Sequence, residues 1–151
     1  MQSSPQDAIE LLTADHAEVK ALFEQFDKLS DRSKVNKKKF ADQICLALTV
    51  HAQIEEEIFY PAMRAATRDD DMLDEAIVEH ASAKELIAQI REMDPGDDLY
   101  DAKVKVLSEQ IEHHVGEEEA EMFDKARTAK LDLAALGEEM AMRKDELMAT
   151  A

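Results

Sequence analysis

The sequence is poor in the residues that form turns and disulfides. Its 151 residues include three glycines, three prolines, one cysteine and no tryptophan. A β-sandwich or β-barrel needs a turn signal about every 8–12 residues, which so few glycines and prolines cannot supply. The single cysteine, Cys45, excludes an intrachain disulfide framework. These absences predict an all-α protein with a few long helices and short connections.

Positive charge is also scarce. There are 18 Lys and Arg residues against 35 Asp and Glu residues, a formal net charge of −17. Nucleic-acid-binding domains and membrane-surface modules need basic patches, so we expect neither nucleic acid nor membrane as a partner. No apolar run approaches the roughly 18 residues of a membrane span, and residues 1–5 lack the features of a signal peptide. We therefore expect a cytoplasmic protein. Its charge is compatible with either a monomer or an oligomer.

Loop signals divide the chain into five helical segments. Ser4 and Pro5, followed by Asp7, are typical of an N-cap, a first-turn proline and an acidic first turn. The clearest loop is Asp-Pro-Gly-Asp at residues 94–97, after which Asp97 or Asp98 is the predicted cap of the next helix. The predicted helices span about residues 5–29, 34–66, 71–93, 98–128 and 132–148, the last of them capped by Asp132.

The first four segments are amphipathic and joined by short loops. This pattern predicts an up-down-up-down four-helix bundle over about residues 5–128, with an additional C-terminal helix at about 132–148 outside it. The length suits a single domain spanning residues 1–151. The second and fourth helices also repeat each other at a constant offset, from His51 to Tyr60 and from His114 to Phe123. The bundle is therefore interpreted as two copies of a helical hairpin.

The apolar stripes of the four bundle helices have gaps that are filled by polar residues. In the third helix, for example, His80 lies between Ile77 and Ala83, and in the second the stripe passes through Glu55 to Ile58. Taken helix by helix, the residues in the gaps are His16, then His51 and Glu55, then His80, then His114 and Glu118. Each of the four helices is thus predicted to point a histidine at the common core.

This set of buried polar residues is best explained by metal ions. A buried carboxylate costs several kcal/mol unless it is paired or ligates a cation, and no Lys or Arg lies near Glu55 or Glu118 on their stripes. In each His-x-x-x-Glu motif the two side chains lie one turn apart on one face. Four imidazoles and two carboxylates exceed one tetrahedral zinc site and suit two bridged metals, with iron or manganese favoured.

Other residues and motifs are weaker candidates for a metal or catalytic site. The stripe of the fourth helix passes through His114, so the adjacent His113 is predicted to be exposed or to lie behind a ligand. The glutamates beside the motifs are predicted to be mostly solvated, with one of them able to support a ligand; they are Glu56, Glu57, Glu117 and Glu119. The sequence contains no Glu-x-x-His, His-Glu-x-x-His, Gly-rich phosphate loop or Gly-x-Ser-x-Gly motif.

The arrangement of His16, His51-x-x-x-Glu55, His80 and His114-x-x-x-Glu118 resembles the hemerythrin family, in particular the bacterial HHE cation-binding domains. The resemblance implies a four-helix bundle that holds two iron ions in a non-haem di-iron centre, with an oxo or hydroxo bridge. It implies Glu55 and Glu118 as bridging carboxylates. It also implies O₂ as a partner, or a related small ligand such as nitric oxide or peroxide.

The chain departs from the oxygen-carrying hemerythrins at one position. Those proteins have His-x-x-x-His on the third helix, whereas Lys84 follows His80 here. Because a protonated lysine has no lone pair for a metal, Lys84 is expected either to pair with a surface carboxylate or to donate a hydrogen bond within the site. We expect a di-iron protein that binds or senses O₂ rather than an enzyme. The alternatives are a di-iron enzyme that consumes peroxide or nitric oxide, and an iron storage or buffering protein.

Overall fold

A computed structural model of the chain describes residues 6–151, which form helices joined by short loops, with no β-strand among them. The helices are α1 (Ala8–Asp27), α2 (Lys34–Ile54), α3 (Tyr60–Thr67), α4 (Asp70–Glu92), α5 (Tyr100–Glu117), α6 (Phe123–Thr128) and α7 (Leu133–Ala149). A first π turn, Glu55–Phe59, joins α2 to α3, and a second, Glu118–Met122, joins α5 to α6. Since each π turn continues its helix, the chain forms the predicted four-helix bundle with α7 as the additional helix.

The predicted cap of α7 is confirmed, and α1 begins with a cap of its own within the described residues. Asp132 caps α7 as predicted, because its side chain accepts the Ala135 N–H at 3.0 Å. Asp7 itself caps α1 and forms a reciprocal capping box with Glu10, while the predicted cap and proline at residues 4–5 lie outside the described residues.

The predicted cap of α5 is wrong. The helix begins at Tyr100, after Leu99 in a left-handed conformation with φ of 71°. The Asp97 carboxylate instead accepts the backbone N–H of Asp94 at 2.9 Å, inside the loop. The short polar side chain therefore stabilises the turn itself, an alternative that Asp side chains often adopt.

The buried apolar residues form two clusters separated by the polar layer. One cluster lies at the end of the bundle that contains α3, α6 and α7; its bulky members include Phe59, Met63, Phe123 and Met140. The other lies towards the opposite end and includes Phe23, Ile44, Ile87 and Leu107. The predicted histidines fall between the two clusters on every bundle helix, so the fold places them at mid-height.

Two predicted core positions are more exposed than expected, for two different reasons. Ile77 is 38% exposed, because the α4 stripe passes through Ala76 and His80, and Ile77 lies about 100° round the helix from Ala76. Ile58 is only half-buried, since the first π turn adds a residue to the turn and brings Phe59 and Tyr60 to the core instead.

Helix α7 packs against α1 at very close range. A Cβ atom at Gly137 would lie 2.6 Å from the Asp7 carbonyl carbon and 2.8 Å from the Ala8 nitrogen, both of them backbone atoms. Only glycine therefore permits this approach. None of the helices within residues 6–151 combines the length and apolar character that a membrane span requires.

This contact yields a matched pair of substitutions. Gly137→Ala should lower the free energy of unfolding by about 1–3 kcal/mol, because the added methyl group overlaps backbone atoms that must move apart. Gly116→Ala, also within a helix, meets nothing within 4 Å and should raise it by about 0.5–1 kcal/mol. Urea unfolding measures both. Equal stability of the two variants would contradict the close α1–α7 contact.

Candidate metal centre

The six sequence-predicted site residues meet in one buried layer of the bundle. Helices α1, α2, α4 and α5 each contribute one histidine, and each π turn begins with one glutamate. None of the six is more than 9% exposed; they are His16, His51, Glu55, His80, His114 and Glu118. The fold therefore brings together all of the residues that the sequence analysis selected.

The two glutamates lie between two pairs of histidines. Glu118 Oε1 is 3.1 Å from His16 Nε2, and Glu118 Oε2 is 3.2 Å from His114 Nε2. Glu55 Oε1 is 3.2 Å from the Nε2 atoms of both His51 and His80. Each carboxylate is thus shared between the two sides of the layer. We call these sides the His16 half-site, which contains His16 and His51, and the His80 half-site, which contains His80 and His114.

The π turns position both carboxylates. In each turn the backbone N–H that follows the turn donates to the carbonyl of the glutamate five residues earlier, from Tyr60 to Glu55 and from Phe123 to Glu118. The widened turn keeps the glutamate on the inner face and also turns the residue five positions later inward. Tyr60 stacks on the His80 ring at 5.4 Å, and Phe123 stacks on the His16 ring at 6.0 Å. The sequence repeat is therefore a structural repeat as well.

A second carboxylate fixes each imidazole from behind. The four Nδ1 contacts are His16 to Glu119 at 2.7 Å, His51 to Asp15 at 2.9 Å, His80 to Glu56 at 2.9 Å and His114 to Glu79 at 2.6 Å. An ionised carboxylate can only accept, so each Nδ1–H donates and each Nε2 faces the centre. This orientation is the one found in metal-ligating histidines.

These supporting carboxylates were only partly predicted. One of the neighbouring glutamates was expected to support a ligand, whereas both Glu56 and Glu119 do so. Asp15 and Glu79 were not predicted. A signal was present, because each of the four supporting residues is adjacent in sequence to one of the six site residues.

Four buried polar atoms of the centre lack a hydrogen-bonding partner among residues 6–151. They are His16 Nε2, His51 Nε2, Glu55 Oε2 and Glu118 Oε1. Leaving buried polar atoms unpaired costs about 1–3 kcal/mol each, so a folded protein rarely tolerates four in one place. All four belong to residues whose ligand atoms lie within 4.8 Å of one another. The donor set of the His16 half-site thus fits a metal cation.

Tyr60 supplies an oxygen to the other half-site, and the sequence analysis missed it. Its hydroxyl lies 2.9 Å from Glu118 Oε2, 3.3 Å from Glu55 Oε1, 3.3 Å from His80 Nε2 and 3.4 Å from His114 Nε2. Neighbouring ligands of an octahedral metal are about 3 Å apart when metal–ligand distances are roughly 2.1 Å. The Tyr60 oxygen and the four ligand atoms around it in the His80 half-site therefore also fit a cation.

The comparison with known families agrees with this geometry. The family model of the hemerythrin HHE cation binding domain matches residues 7–126. The chain belongs to the hemerythrin HHE cation-binding domain family. The resemblance inferred from the six site residues is thereby confirmed.

Two proteins are similar to this HHE-family chain. A crystal structure of a hemerythrin HHE cation binding domain-containing protein from Mycobacterium kansasii superposes with a TM-score of 0.82 at 24% identity, covering 96% of this chain and 89% of the other. A protein named DNA nickase from Nostoc sp. is 31% identical over 114 residues, which is 76% of this chain and 32% of the nickase. The chain thus spans about a third of the length of that relative.

Two residues at the edge of the HHE centre have the positions that the sequence analysis considered for them. Lys84 is half-exposed and its Nζ lies 2.9 Å from Glu56 Oε2, so of the two expectations it follows the carboxylate pairing. His113 is 66% exposed and its Nε2 lies 3.1 Å from Glu117 Oε1. Neither side chain enters the layer of six residues.

Contacts between histidines and carboxylates in this HHE centre favour the charged form of each group and outweigh the effect of burial on its pKa. Burial lowers the pKa of His51, but the charge of Glu55 and the hydrogen bond to Asp15 outweigh it and raise that pKa well above its ordinary value. Burial raises the pKa of Glu55, and the contact with His51 overrides it and holds the pKa well below its ordinary value. The pKa of His114 rises to about 9, because the Glu118 contact exceeds the effect of burial. A cation must displace these protons, so metal affinity should increase with pH.

The adjacent histidines on α5 provide a test of this geometry. His114→Ala should lose most of the bound metal, because it removes a nitrogen that faces both Glu118 and His80. His113→Ala should retain it, with a change in affinity of about ten-fold at most. Metal analysis of the two purified variants measures this. A reversed order, or equal losses, would show that the observed register of α5 does not describe the metal centre.

Proposed function

We propose that the protein is a non-haem di-iron protein that binds or senses O₂ or a related small ligand. The observation that carries the proposal is the buried set of four imidazole nitrogens and two shared carboxylates, with every imidazole oriented by a further carboxylate. Mixed imidazole and carboxylate ligands favour iron over metals that prefer thiolates. Two half-sites that share Glu55 and Glu118 support a pair of ions rather than one.

A small apolar pocket beside the histidines supports a small ligand. It has room for about 30 Å³, and both half-sites contribute to it together with Val19, Leu48, Ile87 and Ile111. Pockets for drug-sized ligands are about 300–1,000 Å³, so a nucleotide or sugar does not fit. Bound iron would supply the electrons that chemistry with such a ligand needs. The chain's own residues orient the histidines through the supporting carboxylates, place Glu55 and Glu118 between the half-sites and line the pocket with aliphatic side chains.

The second candidate function is an enzyme that consumes peroxide or nitric oxide at the same centre. Lys84 favours this enzymatic function, because its side chain lines the pocket and its ammonium group can donate a hydrogen bond to a bound peroxide. Iron storage needs neither this pocket nor this amine. Steady-state consumption of hydrogen peroxide by the iron-loaded protein distinguishes the enzyme from the binding protein. Loss of that consumption in Lys84→Met at unchanged iron content would assign the amine a part in it.

We further propose that the chain itself does not act on nucleic acid. The net charge of −17 opposes binding to a phosphate backbone. The Nostoc relative that is named a DNA nickase has about two thirds of its length outside the matched region. The activity in its name is therefore that of the whole relative.

Metal content tests the proposal directly. Protein expressed in iron-replete cells should contain close to two irons per chain and show near-ultraviolet ferric absorbance. Removing the iron with a chelator should lower the melting temperature by several degrees, because the four unpaired buried atoms lose their cation. Elemental analysis and thermal unfolding measure these quantities. One zinc per chain with no iron would contradict the di-iron proposal.

Tyr60 should make the two irons distinguishable. The sequence has two tyrosines, and only Tyr60 lies at the centre, whereas Tyr100 is buried in the second apolar cluster. If the Tyr60 oxygen binds ferric iron, a visible tyrosinate-to-iron charge-transfer band is expected. Tyr60→Phe should abolish this band and keep most of the iron, while Tyr100→Phe should keep both. Resonance Raman spectroscopy identifies the phenolate modes. A wild-type ferric protein without them would show that Tyr60 only donates hydrogen bonds.

A further inference from the structure

Two cavities adjoin the candidate centre, one with a mostly apolar lining and one with an acidic lining. The apolar pocket described above holds about 30 Å³ and is lined by histidine rings, aliphatic side chains and Lys84. The second cavity is a cleft of about 250 Å³ formed by residues of α4, α5, the second π turn and α6. Its carboxylates are Asp69, Asp71, Glu75, Glu79, Glu117, Glu118 and Glu121. We call this second cavity the acidic cleft.

The inner end of the acidic cleft is the metal centre itself. His114 and Glu118 line both the cleft and the centre. Glu118 is 2% exposed, and its Oε1 atom has no hydrogen-bonding partner within the described part of the chain. Its other oxygen, Oε2, accepts a hydrogen bond from Tyr60 and lies 3.2 Å from His114 Nε2. The cleft therefore leads from solvent to a buried carboxylate with one oxygen atom that accepts no hydrogen bond, which distinguishes it from an ordinary acidic surface.

The only lysine or arginine among the lining residues of the acidic cleft is Lys125, and one lysine does not balance seven carboxylates. Lys125 forms an ion pair with Asp69, the residue that caps α4. Six further carboxylates line the cleft, in a protein whose formal net charge is −17. Clefts lined by one sign of charge concentrate counter-ions and raise association rates by about 10 to 1,000-fold.

A histidine and two glutamates form a cluster beside the acidic cleft. Glu79, His113 and Glu117 have ligand atoms that all lie within 4.8 Å of one another. Glu79 connects this cluster to the centre, since its Oε1 accepts from His114 Nδ1 at 2.6 Å and its Oε2 lies 3.7 Å from His113 Nε2. A cation bound by these three residues would therefore be one side chain away from the buried ligands.

We propose that the acidic cleft is the route by which ferrous iron reaches the buried centre, with Glu79, His113 and Glu117 as the site that captures it first. The inference rests on the proposed iron-binding function. A hydrated divalent cation is favoured in the acidic cleft by charge and by volume, and it is excluded from the apolar pocket by both. The two cavities thus separate the metal from the small neutral ligand: one admits the cation, and the other admits the ligand.

Loading kinetics of the metal-free protein test the route. The cleft variant combines Glu75→Gln, Glu117→Gln and Glu121→Gln, which keep side-chain size and leave every centre ligand in place. The matched control combines Glu18→Gln, Glu24→Gln and Glu138→Gln, three exposed residues of α1 and α7 that do not line the cleft. Both variants change the net charge equally. Each protein is mixed anaerobically with ferrous iron, and the unbound iron is captured by a coloured chelator at set times.

We expect the cleft variant to load about ten-fold more slowly than wild type at low ionic strength, with the same final iron content. The control should load within two-fold of wild type. Added salt should slow wild type and bring it towards the cleft variant, because exposed charges are screened. Equal loading rates in all three proteins would overturn the proposed route. Failure of wild type to bind iron at all would instead overturn the proposed function, so the two failures are distinguishable.

The capture site has its own test. His113→Ala should slow loading about as much as the cleft variant when ferrous iron is limiting, and it should reach the wild-type iron content at equilibrium. Lys103→Ala is the control, because it removes a polar side chain of the same helix that belongs neither to this cluster nor to the cleft. An unchanged loading rate in His113→Ala, together with slow loading of the cleft variant, would exclude capture by this cluster and restrict the proposal to the cleft.

Discussion

A closed ring of carboxylate–imidazole hydrogen bonds holds the centre of this bundle together. Asp15 on α1 accepts from His51 on α2, and Glu56 in the first π turn accepts from His80 on α4. Glu79 on α4 accepts from His114 on α5, and Glu119 in the second π turn accepts from His16 back on α1. Every bundle helix is thus tied to the next. A buried polar layer is tolerated only when its groups are paired in this way.

Helix α7 is attached to this ring by ion pairs. Lys144 of α7 donates to Asp15 at 2.6 Å, and Arg143 donates to Glu57 in the first π turn at 2.8 Å. Burial favours the protonated form of Asp15, but the hydrogen bonds from His51 and Lys144 prevail and lower its pKa. The additional helix is therefore in contact, through one carboxylate, with a histidine of the centre. Its position on the bundle depends on charge as well as on the close α1–α7 packing at Gly137.

The two halves of the repeated hairpin have the same backbone geometry at the centre but different side chains. Both π turns present a glutamate and turn an aromatic ring inward, but one ring is Tyr60 and the other is Phe123. The His80 half-site consequently has a hydroxyl oxygen within reach of its ligand atoms, whereas the His16 half-site has unpaired nitrogens and carboxylate oxygens. The surroundings differ as well, since His114 lines the acidic cleft and His51 does not.

The sequence by itself determined the helices, the bundle and the six residues of the polar layer. It did so because helical periodicity is local: His16 and His80 can be assigned to the inner face from their apolar neighbours along one helix. Tertiary structure alone decided which carboxylates reach which histidines, since Asp15 and Glu79 pair with residues of neighbouring helices. It also decided the inward position of Tyr60, because a π turn inserts one residue, and regular 3.6-residue periodicity gives no indication of such an insertion.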